Sequence, residues 1–428
     1  VRMNLASGPD PTDLLGLPWS TPLEHWPPEY FESLPRGISR HVVRFVRVGG
    51  TVFAVKETQR EIAEVEYDLL RRLSRKRVPA VQAVGVVAGR ATPDGEPLAA
   101  ALITKHLHFS LPYRALFSRR IDPDLERKLL DALAELLVKL HLAGFAWGDC
   151  SLSNTLFRRD AGALAAYLVD AETGKLEESL SRGQREYDLD LARTNLAGEM
   201  LDLQAAGLLG EQVDPVATAD SVVARYERLW AELTQPLTFV AGQWDTVDQR
   251  IRRLNELGYD IGQIEVREQE DCPEVLVQTQ VVEAGHHQRR LQELTGLSVG
   301  ENQARRLLND LDSFRAQAVM PGNDVDDAVL ARHWMTDVFE PVVESVPREL
   351  KAKLEPAEVF HEVLEHKWHL SEAFGRPVTL DDAARSYVDN VLRFRPDEEA
   401  MLDSSLMGVG SLDDAVDAVD DTADGAPG

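Results

Sequence analysis

Within Trp147-Gly148-Asp149-Cys150-Ser151-Leu152-Ser153-Asn154 a carboxylate is followed five residues later by an amide, and sixteen residues beyond that amide the apolar run Tyr167-Leu168-Val169 ends in Asp170. These three polar groups constrain the fold most, because they can act together only if a loop and the end of the next buried strand lie side by side. The flanking text supplies such a frame. Leu125, Leu129, Leu133, Leu136, Leu137 and Leu140 form one apolar stripe of a helix leading into the loop, with Asp122 as its cap and Pro123 in its first position. Beyond the loop, Thr155-Leu156-Phe157 and Leu164 to Val169 read as a short hairpin.

A second frame lies upstream. His41 to Val48 and Thr51 to Lys56 are two β-rich runs joined by Gly49-Gly50, the pattern of a tight hairpin. Lys56 stands at the end of the second run. Residues 57–75 read as a helix on which Glu66, Leu70 and Leu73 share a face, so an inward carboxylate needs a cation and Lys56 is the natural one; Glu61 and Glu64 compete for that role. Val81 to Val87 and Leu98 to Thr104 complete a small antiparallel sheet with one helix. The expected fold class is α+β: a β-rich lobe over 31–105, a crossing point near 105–110, and a helical lobe over 106–235. Lys105 and Leu107 then border the crevice in which a nucleotide would sit.

A carboxylate to take a proton from a hydroxyl, with an amide and a second carboxylate to hold Mg²⁺ against phosphates, is the donor set that phosphoryl transfer from ATP requires. Composition sets the partners. The 428 residues carry a formal charge of −26, which repels phosphate polymers and anionic lipid and disfavours a nucleic-acid partner. Only two cysteines occur, Cys150 and Cys272, and no run has the length of a membrane span, so a reducing, cytoplasmic setting is expected.

These residues resemble the protein-kinase-like superfamily. Val52-Phe53-Ala54-Val55-Lys56 is similar to its lysine strand, Glu66 to its helix glutamate, Gly148 to Asn154 to its catalytic loop, and Asp170-Ala171-Glu172 to its metal-binding triplet. Ser151, two places after Asp149, makes the loop more similar to the RIO-type and lipopolysaccharide (Kdo) kinase branches. The whole chain resembles bacterial proteins in which a lipopolysaccharide-kinase-like domain precedes a C-terminal domain of unknown function. The resemblance implies a bilobal kinase-like fold in which Lys56 contacts ATP phosphates and is held by Glu66, Asp149 positions an acceptor hydroxyl, and Asn154 and Asp170 bind Mg²⁺. The sequence departs from that pattern in three places. No Gly-x-Gly-x-x-Gly precedes Lys56, leaving Gly37 and Ser39 to cover phosphate; Ala-Glu follows Asp170, which makes Glu172 a further possible ligand; and little chain separates Glu172 from the helix expected near Tyr187. A small-molecule hydroxyl or an atypical protein substrate suits so short a segment. Two rival readings follow: a kinase-like scaffold without catalysis, and a nucleic-acid-binding regulator.

Residues 1–30, with six prolines among Leu14, Leu15, Leu17 and Trp19, read as an extended arm packing on a neighbour. Asp188 and Asp190 read as the opening of a helix over 188–207, a reading favoured over the alternative that one of the two acids braces the catalytic loop from below, and a second helix follows over 215–233. Residues 236–402 form an accessory α+β, mainly helical domain: a helix from about 244, strands at 261–266 and 275–280, then helices. The pair 283–294 and 301–314, with Arg289, Arg290, Arg305 and Arg306, has helix-turn-helix lengths and carries the nucleic-acid reading. His361-Glu362-Val363-Leu364-Glu365-His366-Lys367-Trp368-His369 places several metal-ligand types on one helix; the favoured reading is a polar face with a packed Trp368. Residues 403–428, acidic and without a base, read as a disordered tail.

Overall fold

The structure, a computed structural model, describes residues 2–5, 13–32, 41–113, 116, 123–235, 237–240, 249, 252–255, 257–268, 274–318 and 326–395. Gly37, Ser39, Asp122, Cys272, most of the helix expected from residue 244, and the acidic tail lie outside these residues.

The first lobe is a five-stranded sheet. In chain order its members are β1 (Arg2–Leu5), β2 (Val43–Val48), β3 (Thr51–Thr58), helix α1 (Arg60–Arg75), β4 (Gln82–Ala88) and β5 (Ala100–Lys105), and the strands lie in the order β1-β4-β5-β3-β2, all antiparallel. The β2–β3 turn works because Gly49 and Gly50 both have positive φ (56° and 79°), the conformation a two-residue hairpin demands. Strand β3 runs two residues past Lys56, pairing Glu57 with Ala101 and Thr58 with Ala100, so α1 begins three residues later than its periodicity predicts.

The arm covers the outer face of this sheet. It is folded into short 3₁₀ turns at Asp13–Gly16, Leu23–His25 and Pro28–Tyr30, in place of an extended run, and β1 joins the sheet itself. Leu14, Leu17, Trp19, Leu23 and Trp26 bury against Val46, Phe53, Val55, Val87 and Ile103. Arg90, itself buried, fastens arm to sheet: its guanidinium donates to Glu57 Oε1 (2.6 Å), Trp19 O (3.0 Å) and Thr21 O (2.6 Å).

After β6 (Ser110–Pro112) comes the helical lobe: α2 (Pro123–Leu142), β7 (Phe145–Ala146), the hairpin β8 (Thr155–Asp160) and β9 (Ala163–Leu168), β10 (Lys175–Leu176), α3 (Arg182–Ala205) and α4 (Pro215–Thr234). Helix α3 starts six residues before the predicted one. Ser181 accepts from Gln184 N and Gln184 caps Ser181 N in return, a capping box that nucleates the helix there and leaves Asp188 well inside it.

The C-terminal region opens with a three-stranded sheet of β11 (Leu237–Val240), β12 (Tyr259–Glu268) and β13 (Glu274–Ala284), in the order β11-β13-β12. Helices α5 (His286–Thr295), α6 (Glu301–Ala318), α7 (Asp327–Trp334), α8 (Glu340–Glu344), α9 (Pro356–Phe374) and α10 (Leu380–Asn390) follow, around a separate core of Leu307, Leu311, Trp334, Phe339, Phe360 and Tyr387. Leu254 and Tyr259 belong instead to the core of the helical lobe. No helix among the described residues is long and apolar enough to cross a membrane.

The two regions interlock at the tip of the β8–β9 hairpin. Asp160, buried, accepts from Gln303 N (2.7 Å), Asn302 N (3.1 Å) and Asn302 Nδ2 (3.2 Å), capping α6 from another part of the chain. Glu358 of α9 accepts from Ala161 N and from Gln303 Nε2, both at 2.9 Å, and Arg158 pairs with Glu355 at 2.5 Å. The first turn of α6, the end that a recognition helix would present to bases, is therefore taken up by the β8–β9 hairpin of the helical lobe.

Candidate active site

Lys56 points to the face of the sheet opposite the arm, toward α1. Glu66 lies on the inward stripe of α1 with Ala63, Leu70 and Leu73, and is 1% exposed. Its Oε2 stands 3.1 Å from Lys56 Nζ. The competing acids do not enter: Glu64 pairs with Arg60 on the exposed side and Glu61 is exposed in the first turn. The same ammonium donates to Asp170 Oδ2 at 2.6 Å and to Glu172 Oε2 at 2.8 Å, over 114 and 116 residues of sequence separation. His41 Nε2 approaches the same Glu172 oxygen at 3.0 Å.

Burial works against the Lys56 charge, but Glu66 and Asp170 more than reverse it, so its pKa is raised and the side chain stays cationic. Burial acts in the opposite sense on Glu66; with the Asp170 charge it pushes the carboxyl up to about 7 against the pull of Lys56. Both Glu66 oxygens are engaged, Oε2 by Lys56 and Oε1 by Ala171 N at 3.3 Å.

The hairpin brings the loop to this cluster. Thr155 pairs with Leu168, so Asn154, just before β8, and Asp170, just after β9, emerge at one end, with Val169 N donating to Asn154 O at 3.0 Å. Asn154 Nδ2 donates to Asp149 O and to Asp149 Oδ2, both at 3.1 Å, which leaves its Oδ1 as the atom it can offer a ligand. Trp147 Nε1 donates to Asp170 O (2.9 Å), tying the loop to the triplet. Lys105 and Leu107 lie on the crossing segment. Lys105 is exposed, and the segment is held by His106 N on Val52 O and Ser110 Oγ on Leu107 O; the contacts that gather Lys56, Glu66, Asp170 and Glu172 do not extend to them.

Helix α3 supplies supports that the motif alone does not name. Asp188 is not a helix-opening acid: it is buried, and accepts from Trp147 N (2.8 Å) and Gly148 N (2.6 Å), with His141 Nε2 at 2.9 Å. Its pKa is lowered, because the hydrogen bonds from His141, Trp147 and Gly148 outweigh the opposing effect of burial. Asn195 Nδ2 donates to Asp149 Oδ1 at 3.2 Å, and Glu199 accepts from Leu152 N (2.6 Å) and Ser153 N (3.0 Å). Residues 188, 195 and 199 stand seven and four apart, the spacing of one helix face, and that polar stripe was the available signal.

Among the described residues, the one set of three His, Cys, Asp or Glu groups with ligand atoms all within 4.8 Å of one another is Glu66, Asp170 and Glu172. An all-oxygen set suits Mg²⁺. Glu66 is buried on the inner face of α1 while Asp170 and Glu172 are only partly buried, so these two are the members of the set that fit an ion, together with Asn154 Oδ1 from across the hairpin.

Two lobes joined by a crossing segment, with this ion-paired lysine and the braced loop between them, define a protein-kinase-like fold. Residues 52–196 match the family model for the lipopolysaccharide kinase (Kdo/WaaP) family, and residues 228–392 match that for a domain of unknown function, DUF4032. No curated protein matches the chain. Among solved structures it is similar to WaaP in complex with acyl carrier protein, at 18% identity and a TM-score of 0.36, over 60% of this chain and 99% of that one.

Proposed function

We propose that this protein is an ATP- and Mg²⁺-dependent phosphotransferase that moves the γ-phosphoryl group to a hydroxyl of a small molecule or a protein. The observation that carries the reading is the convergence of Lys56, Glu66 and Asp170 from two lobes onto one ammonium, beside a loop whose Asp149 and Asn154 are already bonded together. Glu66 holds Lys56 where it can meet the α and β phosphates. Asp149, its Oδ1 steadied by Asn195, receives the acceptor hydroxyl and its proton. Asp170, Glu172 and Asn154 would hold Mg²⁺, whose charge offsets that of the phosphates as it spreads in a loose transition state.

The segment between Glu172 and α3 is residues 173–181, shorter still than expected, and supports a small-molecule or atypical protein acceptor over an extended peptide. Glu172, bonded to the lysine that phosphate would engage, favours a second reading: a kinase-like module that binds nucleotide without turnover. One experiment separates the two. ATP turnover and Mg²⁺-ATP binding are measured for the parent chain, Asp149→Ala and Asp170→Ala. Phosphotransfer predicts that Asp149→Ala keeps binding and loses turnover by about 10²-fold or more, whereas Asp170→Ala weakens the metal-dependent binding. Binding without turnover in the parent chain selects the second reading, and equal activity in all three proteins rejects the first.

A further inference from the structure

Helix α9 is arranged differently from the polar face with a packed tryptophan that its His361 to His369 run favours. Trp368 is 57% exposed, and Glu362 and His366 are occupied: Glu362 accepts from Tyr387 OH (2.6 Å) and pairs with Arg395 (2.7 Å), while His366 Nε2 meets Ser386 Oγ (3.0 Å). The feature that the phosphotransferase reading leaves unused lies elsewhere, where His41 and Lys56 share one carboxylate oxygen.

Lys56 Nζ carries three N–H groups, and all three are committed: to Glu66 Oε2 at 3.1 Å, Asp170 Oδ2 at 2.6 Å and Glu172 Oε2 at 2.8 Å. A phosphate oxygen can therefore reach the ammonium only by displacing a carboxylate. The three are not equally held. Glu66 is 1% exposed on α1 and accepts from Ala171 N as well, and Asp170 accepts from Glu172 N (3.0 Å) through its other oxygen. Among the described residues, the Glu172 carboxylate is held by Lys56 and His41 alone, both through Oε2. It is the one that can leave.

The sheet places His41 for that exchange. Val43 pairs with Lys56, and Glu57 N donates to Val42 O (2.9 Å), so the chain ahead of β2 runs along the lysine end of β3. Side chains alternate along extended chain, which puts His41 on the same side as Val43 and, across from it, Lys56. Its Nε2 stands 3.0 Å from Glu172 Oε2, and its side chain is 22% exposed. Two nitrogens from neighbouring segments thus converge on one anionic oxygen, the arrangement in which phosphate oxygens are held. No Gly-x-Gly-x-x-Gly precedes Lys56 to bring backbone amides to the phosphates, which leaves room for a side-chain donor here.

We infer that His41 is a phosphate-binding residue: with ATP bound, a phosphate oxygen takes the place of Glu172 Oε2 between His41 Nε2 and Lys56 Nζ. The inference rests on the phosphotransferase reading and adds a competition to it. Glu172 and phosphate contend for the same two donors, and the carboxylate keeps their place until nucleotide arrives.

The test titrates the full chain with Mg²⁺-ATP and, with metal chelated, with ATP and with adenosine. Glu172→Gln removes the competing charge and should tighten metal-free ATP about tenfold. Adding His41→Ala to Glu172→Gln should reverse that gain, and His41→Gln, which keeps an N–H donor, should restore part of it. Adenosine has no phosphate and should bind all these variants alike, whereas a folding defect would weaken it too. A parent chain that binds no Mg²⁺-ATP rejects the phosphotransferase reading, and the inference with it. If the parent binds, the role of His41 alone is overturned by any of three results: metal-free ATP affinity unchanged in Glu172→Gln, no effect of His41→Ala in that background, or adenosine weakening in step with ATP.

Discussion

Asp188 and Cys150 show how much of the loop's behaviour is set by single side chains other than Asp149 and Asn154. Removing Asp188 strands His141 and the Trp147 and Gly148 amides in the interior, so Asp188→Ala is expected to cost about 3–5 kcal/mol and to lower the melting temperature sharply. Because its folded pKa is depressed, the Asp188 contribution is present above its ordinary value near 3.8 and is lost only as pH falls below it. The parent-minus-variant stability gap should therefore be present at neutral pH and shrink as pH falls below that value, read from urea midpoints. Cys150 lies inside the reactive loop, yet it is fully buried, and burial, with the charges of Asp188, Glu199 and Asp149, pushes its thiol well above the usual range. In a Cys272→Ser background the folded chain should resist an aromatic disulfide reagent at pH 8 and react only on unfolding; rapid labelling of the native chain would contradict this. Lys56, Glu66, Asp149, Asn154 and Asp170 were legible in sequence because each falls at an element end or on a helix face. Their supports were not: Asn195 and Glu199 are polar residues at helical spacing, which look the same whether they face a loop or water, and His41 stands ahead of a strand with no local pattern to mark it.

Among elements, the β8–β9 hairpin does the most. One end places Asn154 against Asp170, and the other buries Asp160 under the N-terminus of α6. The fit is tight: a Cβ on Gly300 would lie 2.2 Å from Asp160 Oδ1, so only glycine lets the carboxylate reach those amides. Burial pushes Asp160 up to about 6, against the Gln303 and Asn302 amides that favour its ionised form. Its folded pKa being above the unfolded value, Asp160 stabilises most below about pH 4, and about 3 kcal/mol of that is lost as pH rises to about 6. Relative to the parent chain, Asp160→Ala should therefore show a stability deficit that shrinks between pH 4 and 6 and is constant above; urea midpoints across that range decide it, and a deficit growing with pH would refute the assignment. The β2–β3 hairpin, α1 and the β8–β9 hairpin were readable from Gly49-Gly50, the Glu66–Leu73 face and the short apolar runs. The start of α3 was also written in the chain, as Ser181-x-x-Gln184, but the acids at 188 and 190 resemble a helix opening more strongly. What local pattern could not show was Arg90 reaching back to Trp19 and Thr21, or Asp160 capping a helix some 140 residues away, because both partners are chosen by tertiary packing.

At the scale of the whole molecule, the kinase-like and C-terminal regions are joined too thoroughly to behave as beads on a string. Tyr259, at the head of the C-terminal sheet, is 1% exposed within the helical lobe's own core, and β13 packs on α4 and α2. At the hairpin tip, Asp160 and Ala161 are bonded to α6 and α9, and Arg158 to Glu355, which caps α9. Loosely coupled domains meet over polar, easily parted surfaces, whereas a shared apolar core with buried charged hydrogen bonds across it makes separate opening expensive. Calorimetry of the full chain should accordingly give one transition, with equal calorimetric and van't Hoff enthalpies. Cutting the chain after Gln235 should remove Leu254 and Tyr259 from the helical lobe's core and leave the hairpin tip unsupported, so that residues 1–235 neither melt cooperatively nor bind Mg²⁺-ATP. Two resolved transitions in the full chain, together with a fragment that melts sharply and binds nucleotide as the parent does, would mean that the C-terminal region is a passenger; a single transition and an inert fragment would make it part of the scaffold that holds Asn154 beside Asp170.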